Sequence, residues 1–298
     1  MKIAILSRAA QNHSTRRLTE AAHSAGCVPH VLNPFGFDLQ IGGRGNRICY
    51  EGVPAEDYDV VIPRLSAATA MYGGEVVRHF EWTGIPVINR ATSIASARNK
   101  FRTLRILAEH GLPVPPSFTA GSADFLDRAV SETGEYPFLM KPFQGTHGDA
   151  FLLLDTRTSL ASAVGAMCDL HQDYVIQPFI ENSGVMDLRV IVVGGKVTAA
   201  MRRVAQAGEF RSNIHRGGHG AAVELPAPCI ETSIGAAAAM DLEVAGVDML
   251  HTADGALILE VNPSPGFEEI ETVTGARIAE AIIALAVEYA RDSLPLSK

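Results

Sequence analysis

The stretch from residue 247 to residue 262 constrains the fold of this chain more than any other segment. Two apolar, strand-like runs lie on either side of an Asp254-Gly255 step, which favours the positive φ angles of a tight hairpin turn. If the turn centres near Asp254, antiparallel pairing places Asp248 opposite Glu260. Because side chains on a strand alternate between its two faces, Glu260 and Asn262 point the same way. The sequence therefore predicts a two-stranded ribbon with three oxygen-bearing side chains on one face.

These three side chains are hard oxygen donors, which Mg²⁺ accepts from proteins while it keeps water or phosphate at its other positions. A plainer interpretation is an ordinary half-buried sheet with polar residues on its wet side. Glu260 argues against that interpretation, because it interrupts an apolar run and an isolated carboxylate is costly to bury. We therefore predict that Asp248, Glu260 and Asn262 bind divalent metal.

Composition limits the class of protein to which the chain can belong. It has 298 residues, 47% of them hydrophobic, so it can bury a sizeable core in two or three subdomains. Its apolar runs are too short for a membrane span, and its four cysteines show neither metal nor disulfide spacing, which indicates a cytoplasmic protein without a membrane partner. The net charge of −8 argues against general nucleic-acid binding, so an anionic ligand requires a local basic cluster.

Residues 1–97 alternate strand-like and helix-like segments, which predicts an open parallel sheet. The predicted strands are residues 2–6, 28–32, 60–63 and 87–88. Residues 41–50 are expected to form a loop or a small hairpin. No G-x-G-x-x-G follows the first strand, so the dinucleotide-binding fingerprint is absent. From residue 92 the pattern is helical through His110.

Lys141 lies at the end of an apolar strand and precedes a loop of small residues, 144–149. Gly145, Thr146 and Gly148 in that loop would let backbone N–H groups approach phosphate, while the lysine supplies a point charge. Taken alone, the loop fits a surface turn equally well, and its glycines match no P-loop pattern.

A cluster of four arginines lies between residues 202 and 216. Its members are Arg202, Arg203, Arg211 and Arg216. A solvated basic loop is the plain interpretation of such a cluster. The segment contains a single acid, Glu209, in a chain of net charge −8, which favours the binding of an anionic substrate.

These elements occur in the order that is typical of the ATP-grasp superfamily: a strand-end lysine, a small-residue loop, a hydrophobic hinge strand, and an aspartate followed by Glu-x-Asn. The chain most closely resembles the RimK family, whose members add glutamate to the C-terminus of small-subunit ribosomal protein six. The resemblance is carried by residues 1–8 (MKIAILSR), 98–100 (RNK), 210–218 (FRSNIHRGG) and 260–266 (EVNPSPG). Glu-x-Asn is specific to ATP-grasp enzymes, and the 210–218 run narrows the resemblance to RimK-like ligases. It covers nearly the whole chain.

The resemblance implies an α/β protein with an ATP-grasp fold, in which two α+β subdomains clasp ATP after an N-terminal, Rossmann-like pre-ATP-grasp domain. Residues 1–97 would form that first domain, and residues 98–298 would form the ATP-grasp domain. Within it, residues 98–176 would be the central lid subdomain and residues 177–298 the C-terminal metal and substrate subdomain.

The resemblance also assigns roles to individual residues. Lys100 and Lys141 would contact ATP phosphates, and Asp187 would hold the ribose. The hinge beside adenine would consist of Gln177, Pro178, Phe179 and Ile180. Further nucleotide contacts would come from Arg211, Ser212 and Asn213. The ligands of two Mg²⁺ or Mn²⁺ ions would be Asp248, Glu260 and Asn262.

The sequence departs from the family pattern at two places. Pro178 stands where many relatives have glutamate, although its carbonyl and the Phe179 N–H would stay available for adenine. The family's phosphate loop resembles Glu-Gly-Thr-Gln-Gly-Ile-Gly, whereas residues 144–150 read Gln-Gly-Thr-His-Gly-Asp-Ala. Asp149 brings negative charge near ATP, and Ala150 is less permissive than glycine. These changes bear on loop closure and turnover more than on the type of reaction.

The implied reaction activates a carboxylate with ATP to an acyl phosphate, which an amine attacks to give an amide, ADP and phosphate. Positioning and charge neutralisation dominate such catalysis. Arg203, Arg211 and Arg216 would neutralise the acceptor carboxylate or the incoming glutamate, since arginine matches carboxylates with two parallel hydrogen bonds.

Three hypotheses follow from this resemblance. The first is a RimK-type ligase whose partners are glutamate and the acidic C-terminus of a ribosomal protein, with no direct nucleic-acid contact and with the family's homo-oligomeric state. The second is a related ligase that acts on a small amine or makes free oligoglutamate. The third is a non-catalytic ATP-binding regulator.

Overall fold

The computed structural model describes residues 1–43, 45–145, 151–180, 186–204, 219–252 and 255–292. The first sheet is parallel, with strand order β2-β1-β6. Its strands are β1 (Lys2–Leu6), β2 (Val28–Leu32) and β6 (Val60–Pro63). Helix α1 (His13–Ser24) connects β1 to β2 and buries Leu18 in the core. The predicted parallel sheet is confirmed, but the strand expected at residues 87–88 forms only a single bridge, between Val61 and Val87.

A small antiparallel sheet extends this N-terminal part. Its strands are β3 (Phe37–Gln40), β4 (Arg47–Tyr50) and β5 (Val53–Pro54). It contains the small hairpin expected at residues 41–50. Helix α2 (Ala70–Trp82) buries Val76, Val77 and Phe80 against the same core as Phe37 of β3.

The helical pattern from residue 92 is divided between α3 (Ala91–Ala97) and α4 (Lys100–Glu109). Asn99 caps the second helix, because its side chain accepts the N–H of Arg102 at 2.9 Å. The break places Lys100 in the first turn of α4.

The second sheet is antiparallel, with strand order β8-β7-β9. Its strands are β7 (Phe138–Pro142), β8 (Leu152–Leu154) and β9 (Tyr174–Pro178). Helices α5 (Leu126–Thr133) and α6 (Arg157–Asp169) bury Leu126, Leu160 and Val164 against it. Pro178 ends β9 at the edge of the sheet, as expected for a residue without an N–H.

The third sheet is antiparallel and has the order β12-β11-β10-β13-β14. Its strands are β10 (Met186–Val193), β11 (Lys196–Val204), β12 (His219–Ala222), β13 (Val244–Thr252) and β14 (Gly255–Asn262). Gly194 and Gly195 connect β10 to β11 with φ angles of 54° and 70°, the left-handed values that the predicted hairpin requires. Helix α7 (Ala227–Ala239) packs on one face of this sheet through Cys229 and Ala236.

The other face of the third sheet shares a core with the N-terminal sheet. Helices α8 (Glu268–Thr274) and α9 (Ile278–Asp292) lie between them. One cluster of buried side chains contains Ile3 and Leu18 from the N-terminal part, Ile191 and Val244 from the third sheet, and Ile282 from α9. The two parts therefore bury their apolar faces against each other.

The buried amide of Asn89 joins the same two parts through hydrogen bonds. Its Nδ2 donates to the carbonyls of Val244 at 2.7 Å and Pro263 at 2.9 Å, and its Oδ1 accepts the N–H of Val244 at 2.9 Å. The domain limits proposed from the sequence, 1–97, 98–176 and 177–298, stay predictions. None of the helices in the described ranges has the length and apolar character needed to cross a membrane.

Candidate active site

A row of charged side chains crosses the third sheet on one face, where Ile191 and Val193 of β10 also pack against α9. The row runs from β11 through β10 and β13 to β14. Its cross-strand pairs are Arg203–Asp187, Arg189–Asp248 and Asp248–Glu260. Residues directly opposite each other in a sheet have side chains on the same face, about 5 Å apart. Because side chains alternate along a strand, Arg189 shares its face of β10 with Asp187, and Asn262 shares its face of β14 with Glu260.

A β-bulge determines which arginine of β11 joins this row. The pairing of β10 with β11 shifts by one residue between Ile191 and Val192, so that Thr198 is the extra residue on β11. Continued pairing without that shift would place Arg202 beside Asp187. The shift places Arg203 there instead and leaves Arg202 on the opposite face.

A second bulge determines the pairing of Asp248. The turn joins Thr252 to Gly255, so its centre lies half a residue earlier than the sequence predicts. Leu259 is the extra residue on β14, and the resulting shift restores Glu260 as the partner of Asp248. The predicted pairing is confirmed, although the turn position assumed for it is slightly wrong. Residues 253–254, at the tip, lie outside the described ranges.

Two arginines bind the carboxylate of Asp248. Arg189 donates from Nε to Oδ1 at 2.8 Å and from Nη2 to Oδ2 at 2.6 Å, and Arg203 Nη2 lies 3.1 Å from Oδ2. Burial acts to raise the pKa of Asp248, but the two arginines outweigh it and the pKa is lowered. The carboxylate is therefore held ionised at the centre of the row.

Arg203 is buried between two carboxylates. It makes a two-pronged contact with Asp187, from Nε to Oδ1 at 2.7 Å and from Nη2 to Oδ2, in addition to its contact with Asp248. Burial alone would lower the pKa of Arg203, but the charges of Asp248 and Asp187 raise it. The predicted roles of Arg203 toward an acidic substrate and of Asp187 toward ribose stay predictions. In this structure the two side chains bind each other.

The predicted metal donors fit a hard cation. Asp248, Glu260 and Asn262 present two carboxylates and one amide on a single face. The three arginine contacts of Asp248 occupy one lone pair of Oδ1 and two of Oδ2, so Oδ1 keeps a lone pair for a metal ion. No cluster of three or more His, Cys, Asp and Glu side chains suited to a metal occurs in the part of the chain that is described. A site with so few charged ligands suits an ion that retains water and phosphate oxygens.

Lys141 lies on β7 of the second sheet, and its positive charge interacts with that of Glu260 in this row. The side chain is 8% exposed, and its Nζ donates to Oε1 of Gln177 at 2.7 Å. Burial lowers the pKa of Lys141 to about 8, while the nearby carboxylate of Glu260 opposes the decrease and Lys100 adds to it. Because the charge of Glu260 acts on Lys141, we expect the predicted phosphate lysine and the predicted metal carboxylate to lie near each other.

Because its pKa is near 8, Lys141 should make nucleotide binding sensitive to pH. Phosphate binds the protonated amine, so the ATP dissociation constant should increase as pH rises through about 8, by at most about tenfold per pH unit. A titration of nucleotide affinity between about pH 7 and pH 9.5, with Mg²⁺ present, measures the effect. Lys141→Arg, which stays charged in this range, should flatten the dependence, and a flat wild-type curve would contradict the assignment.

The free energy of unfolding of the protein without nucleotide should rise with pH, whereas nucleotide affinity should fall. Below pH 8 the lysine is protonated in both states and the full cost of burying its charge is present. Between about pH 8 and pH 10.4 the unfolded chain keeps the proton that the folded protein releases, so the free energy of unfolding should rise with pH. Urea unfolding of the wild type and of Lys141→Met measures this contribution, which the variant should lack.

Lys100 holds the start of the predicted phosphate loop. Its Nζ donates to the carbonyl of Gly145 at 3.0 Å, and its backbone N–H donates to the carbonyl of Phe143 at 2.9 Å. The neighbouring rings of Phe101 and Phe143 stack with centroids 5.4 Å apart. These contacts place Lys100 beside the first residues of the loop. Its proposed contact with ATP phosphate stays a prediction.

One hydrogen bond of the predicted hinge differs from the expectation, and the place of these residues beside adenine stays a prediction. Gln177 is buried and links Lys141 to the hydroxyl of Ser117, to which it donates at 2.8 Å. The Phe179 N–H, which the sequence analysis reserved for adenine, donates to the carbonyl of Pro137 at 2.8 Å. That expectation is wrong for the ligand-free protein, because the hydrogen bonding between β7 and β9 continues past Pro178. Ile180 follows as a half-buried residue.

Several predicted site residues lie outside the described ranges. They are Thr146, Gly148, Arg211, Ser212, Asn213 and Arg216, together with the loop residues Asp149 and Ala150. Arg189 also belongs to the row and is not among the predicted site residues. The sequence was sufficient to predict this residue, since Arg189 lies two positions after Asp187 and therefore shares a strand face with it.

Known proteins resemble this chain over its whole length. Residues 1–94 match the RimK PreATP-grasp domain, and residues 97–286 match the RimK-like ATP-grasp domain. A protein of Thioalkalivibrio sulfidiphilus, named probable alpha-L-glutamate ligase, is 40% identical over 291 residues, which cover 98% of this chain and 97% of that protein.

Solved structures share the fold at low sequence identity. The RimK domain protein ATP-grasp from Sphaerobacter thermophilus has a TM-score of 0.75 and 19% identity, covering 96% of this chain and 100% of that one. The ATP-grasp ligase PsnB, complexed with minimal precursor, Mg and ADP, has a TM-score of 0.73 and 20% identity, covering 97% and 98%. The predicted ATP-grasp fold is thereby confirmed. Taken together, the family matches and the similar sequence place this chain in the RimK family of ATP-grasp proteins, and it is an ATP-dependent ligase.

Proposed function

We propose that this ligase adds glutamate to the C-terminal carboxylate of an acidic peptide or protein, with small-subunit ribosomal protein six as the first candidate acceptor. The observation that carries the proposal is the arginine–carboxylate row of the third sheet, in which Asp248 lies opposite Glu260 on the face that also carries Arg189 and Arg203. The probable alpha-L-glutamate ligase at 40% identity supports glutamate as the amine substrate. The ATP-grasp ligase PsnB, whose structure has also been solved in complex with a precursor peptide, supports a peptide substrate. The homo-oligomeric state and the cytoplasmic location stay predictions.

The charge of the site explains why ATP would be used with a divalent ion. The described row and Lys141 contain three cations and three anions. The cations are Lys141, Arg189 and Arg203, and the anions are Asp187, Asp248 and Glu260. Because these charges cancel, the side chains alone do not offset a triphosphate. Mg²⁺ or Mn²⁺ held by Asp248, Glu260 and Asn262 would neutralise phosphate oxygens, and two such ions are proposed.

The chain's own residues then have positioning roles. Lys141 and Lys100 would bind phosphate oxygens from the second sheet, and Arg189 and Arg203 hold Asp248 in one orientation. An acceptor carboxylate oxygen attacks the γ-phosphorus and ADP leaves. The glutamate amine next attacks the acyl carbon, loses a proton and displaces phosphate.

Mass spectrometry of the acceptor tests this function directly. The protein should be incubated with ATP, Mg²⁺, glutamate and a peptide that ends in the C-terminus of ribosomal protein six. The expected product carries increments of one glutamyl residue, formed together with ADP. The same peptide with an amidated C-terminus should remain unmodified, because it has no carboxylate to activate.

Other products would change the assignment. Glutamate oligomers that form without a peptide would favour the oligoglutamate alternative, and products from other amines would favour a small-amine ligase. Membership in a ligase family leaves the non-catalytic regulator without support. Absence of any ADP formation with acids and amines together would refute the proposal.

A further inference from the structure

Two half-buried arginines outside the row have no carboxylate partner in the described part of the chain. The other described arginines that are buried or half-buried are paired with acids: Arg17 with Glu280, Arg189 with Asp248, and Arg203 with Asp187. Arg64 and Arg98 bind only neutral backbone carbonyls. Buried charges in proteins are normally paired, so two unpaired guanidinium groups need an explanation.

Arg64 follows β6 and extends toward the segment after β14, the strand that carries Glu260 and Asn262. Its Nη2 donates to the carbonyl of Pro265 at 2.7 Å, and its guanidinium lies 5.7 Å from the ring centre of Phe267. Pro265 is three residues beyond Asn262. Burial lowers the pKa of Arg64 to about 10, which is the effect of a charge without a compensating anion. The side chain nevertheless stays protonated at neutral pH.

Arg98 approaches the same segment from the break between α3 and α4. Its Nη2 donates to the carbonyl of Leu65, the residue after Arg64. Its Nε is buried and has no hydrogen-bond partner among the described residues. Burial also lowers the pKa of Arg98. Lys100, which contacts the start of the predicted phosphate loop, is two residues further along the chain.

Further hydrogen bonds join the N-terminal part to the segment that Arg64 contacts. The hydroxyl of Ser264 donates to the carbonyl of Pro63 at 3.3 Å, and the amide of Asn89 donates to the carbonyl of Pro263. Arg64 lies at the carboxyl end of a parallel strand, where open α/β sheets commonly bind ligands. Arg64 therefore lies where the N-terminal sheet meets the segment that follows β14, and Arg98 contacts the residue next to it.

We propose that Arg64 and Arg98 form the subsite that binds a substrate carboxylate, that of the acceptor's C-terminal residue. The proposal rests on the proposed ligase function. A guanidinium can offer two parallel N–H groups to a carboxylate, and the neutral contacts of these arginines leave other N–H groups free to do so. An acidic terminus supplies more than one carboxylate, so it can engage both guanidinium groups. The incoming amino acid is the other possible source of a carboxylate.

The test separates acceptor binding from the other steps. Arg64→Met and Arg98→Met remove the charges, Arg64→Lys and Arg98→Lys keep them without the planar fork, and Arg47→Met, at an exposed arginine of β4, is the matched control. Hydroxylamine in place of the amino acid traps the acyl phosphate and isolates the first step. Each Met variant should raise the acceptor KM about tenfold or more and leave the ATP KM unchanged, with the Lys variants between wild type and Met.

If Arg64 and Arg98 only stabilised the fold, their variants would show a different pattern of stability and acceptor KM. Removing an unpaired buried charge should leave urea stability of the ligand-free Met variants equal to or above that of wild type. Lower stability with an unchanged acceptor KM, or an effect confined to the ATP KM, would overturn the proposal. An effect confined to the amino-acid KM would keep the carboxylate subsite and assign it to the incoming amino acid.

Direct binding distinguishes failure of this proposal from failure of the ligase function. Calorimetry of the acidic acceptor peptide with the nucleotide-loaded protein needs no turnover. Ligase activity with wild-type kinetics in all four variants would refute the subsite alone. If no acid and amine pair is ligated, the proposed function fails, and weaker peptide binding by the Met variants would still support the subsite.

Discussion

Replacing Glu260 with alanine is expected to lower ATP-dependent ADP formation by about a hundredfold or more, because electrostatic groups at phosphoryl-transfer sites contribute effects of that size. Glu260 supplies one of the two carboxylates of the predicted metal site and lies opposite the other, Asp248. It is also the carboxylate that favours the charged form of Lys141. The variant should therefore lose Mg²⁺-dependent nucleotide affinity as well as turnover, which calorimetry with and without Mg²⁺ would measure.

The folded state should tolerate this change. Glu260 and Asp248 are like charges opposite each other, so its removal relieves repulsion and the free energy of unfolding should not fall. Glu288→Ala, at an exposed position of α9, is the matched control and should behave as wild type. Near-normal turnover in a well-folded Glu260→Ala protein would end the assignment of the metal site.

Replacing Arg203 with methionine is expected to reduce the free energy of unfolding by about 3–5 kcal/mol, since breaking a buried ion pair leaves an uncompensated charge. Arg203 is 3% exposed, and Asp187, which it binds through both carboxylate oxygens, is 6% exposed. Asp248 would keep Arg189, so most of the loss should arise at Asp187. Urea unfolding measures the effect.

Two further variants separate this ion pair from general damage to the strand. Arg202→Met changes the neighbouring exposed arginine on the other face and should alter stability little. The double variant Arg203→Met, Asp187→Leu removes both charges and should recover much of the lost stability. Equal losses for Arg202→Met and Arg203→Met would show that the charged row is not what stabilises this face.

The sequence predicted the strands of this site but not the details of their pairing. Alternation and the Asp-Gly and Gly-Gly turns were sufficient for β10, β11, β13 and β14, whereas the Asp248–Glu260 pair was predicted correctly only because the bulge at Leu259 offsets the error in the assumed turn position. The extra residues Thr198 and Leu259 left no recognisable signal, although each shifts a strand by one residue. A single shift exchanges the two faces of a strand, so the partner of Asp187 was beyond prediction from turn positions alone.

The unpaired arginines were beyond sequence analysis for another reason. Arg64 and Arg98 differ from the other half-buried arginines because they form no ion pair with an acid among the described residues and instead contact the carbonyls of Pro265 and Leu65. Such contacts join segments up to about two hundred residues apart in the chain. A sequence pattern predicts the strand or helix that its own segment forms, whereas side-chain contacts between distant segments depend on the complete fold.

The hydrogen bonds of Asn89 limit how this protein can be divided or recombined. Its amide binds Val244 and Pro263, and the apolar cluster around Ile3 and Ile282 is built from both ends of the chain. A fragment lacking about the first ninety residues would expose that cluster to water. It would also leave the buried backbone groups of Val244 and Pro263 without their partner Asn89. Chimeras that take the N-terminal part from one relative and the remainder from another must therefore keep these hydrogen bonds and the packing of this cluster.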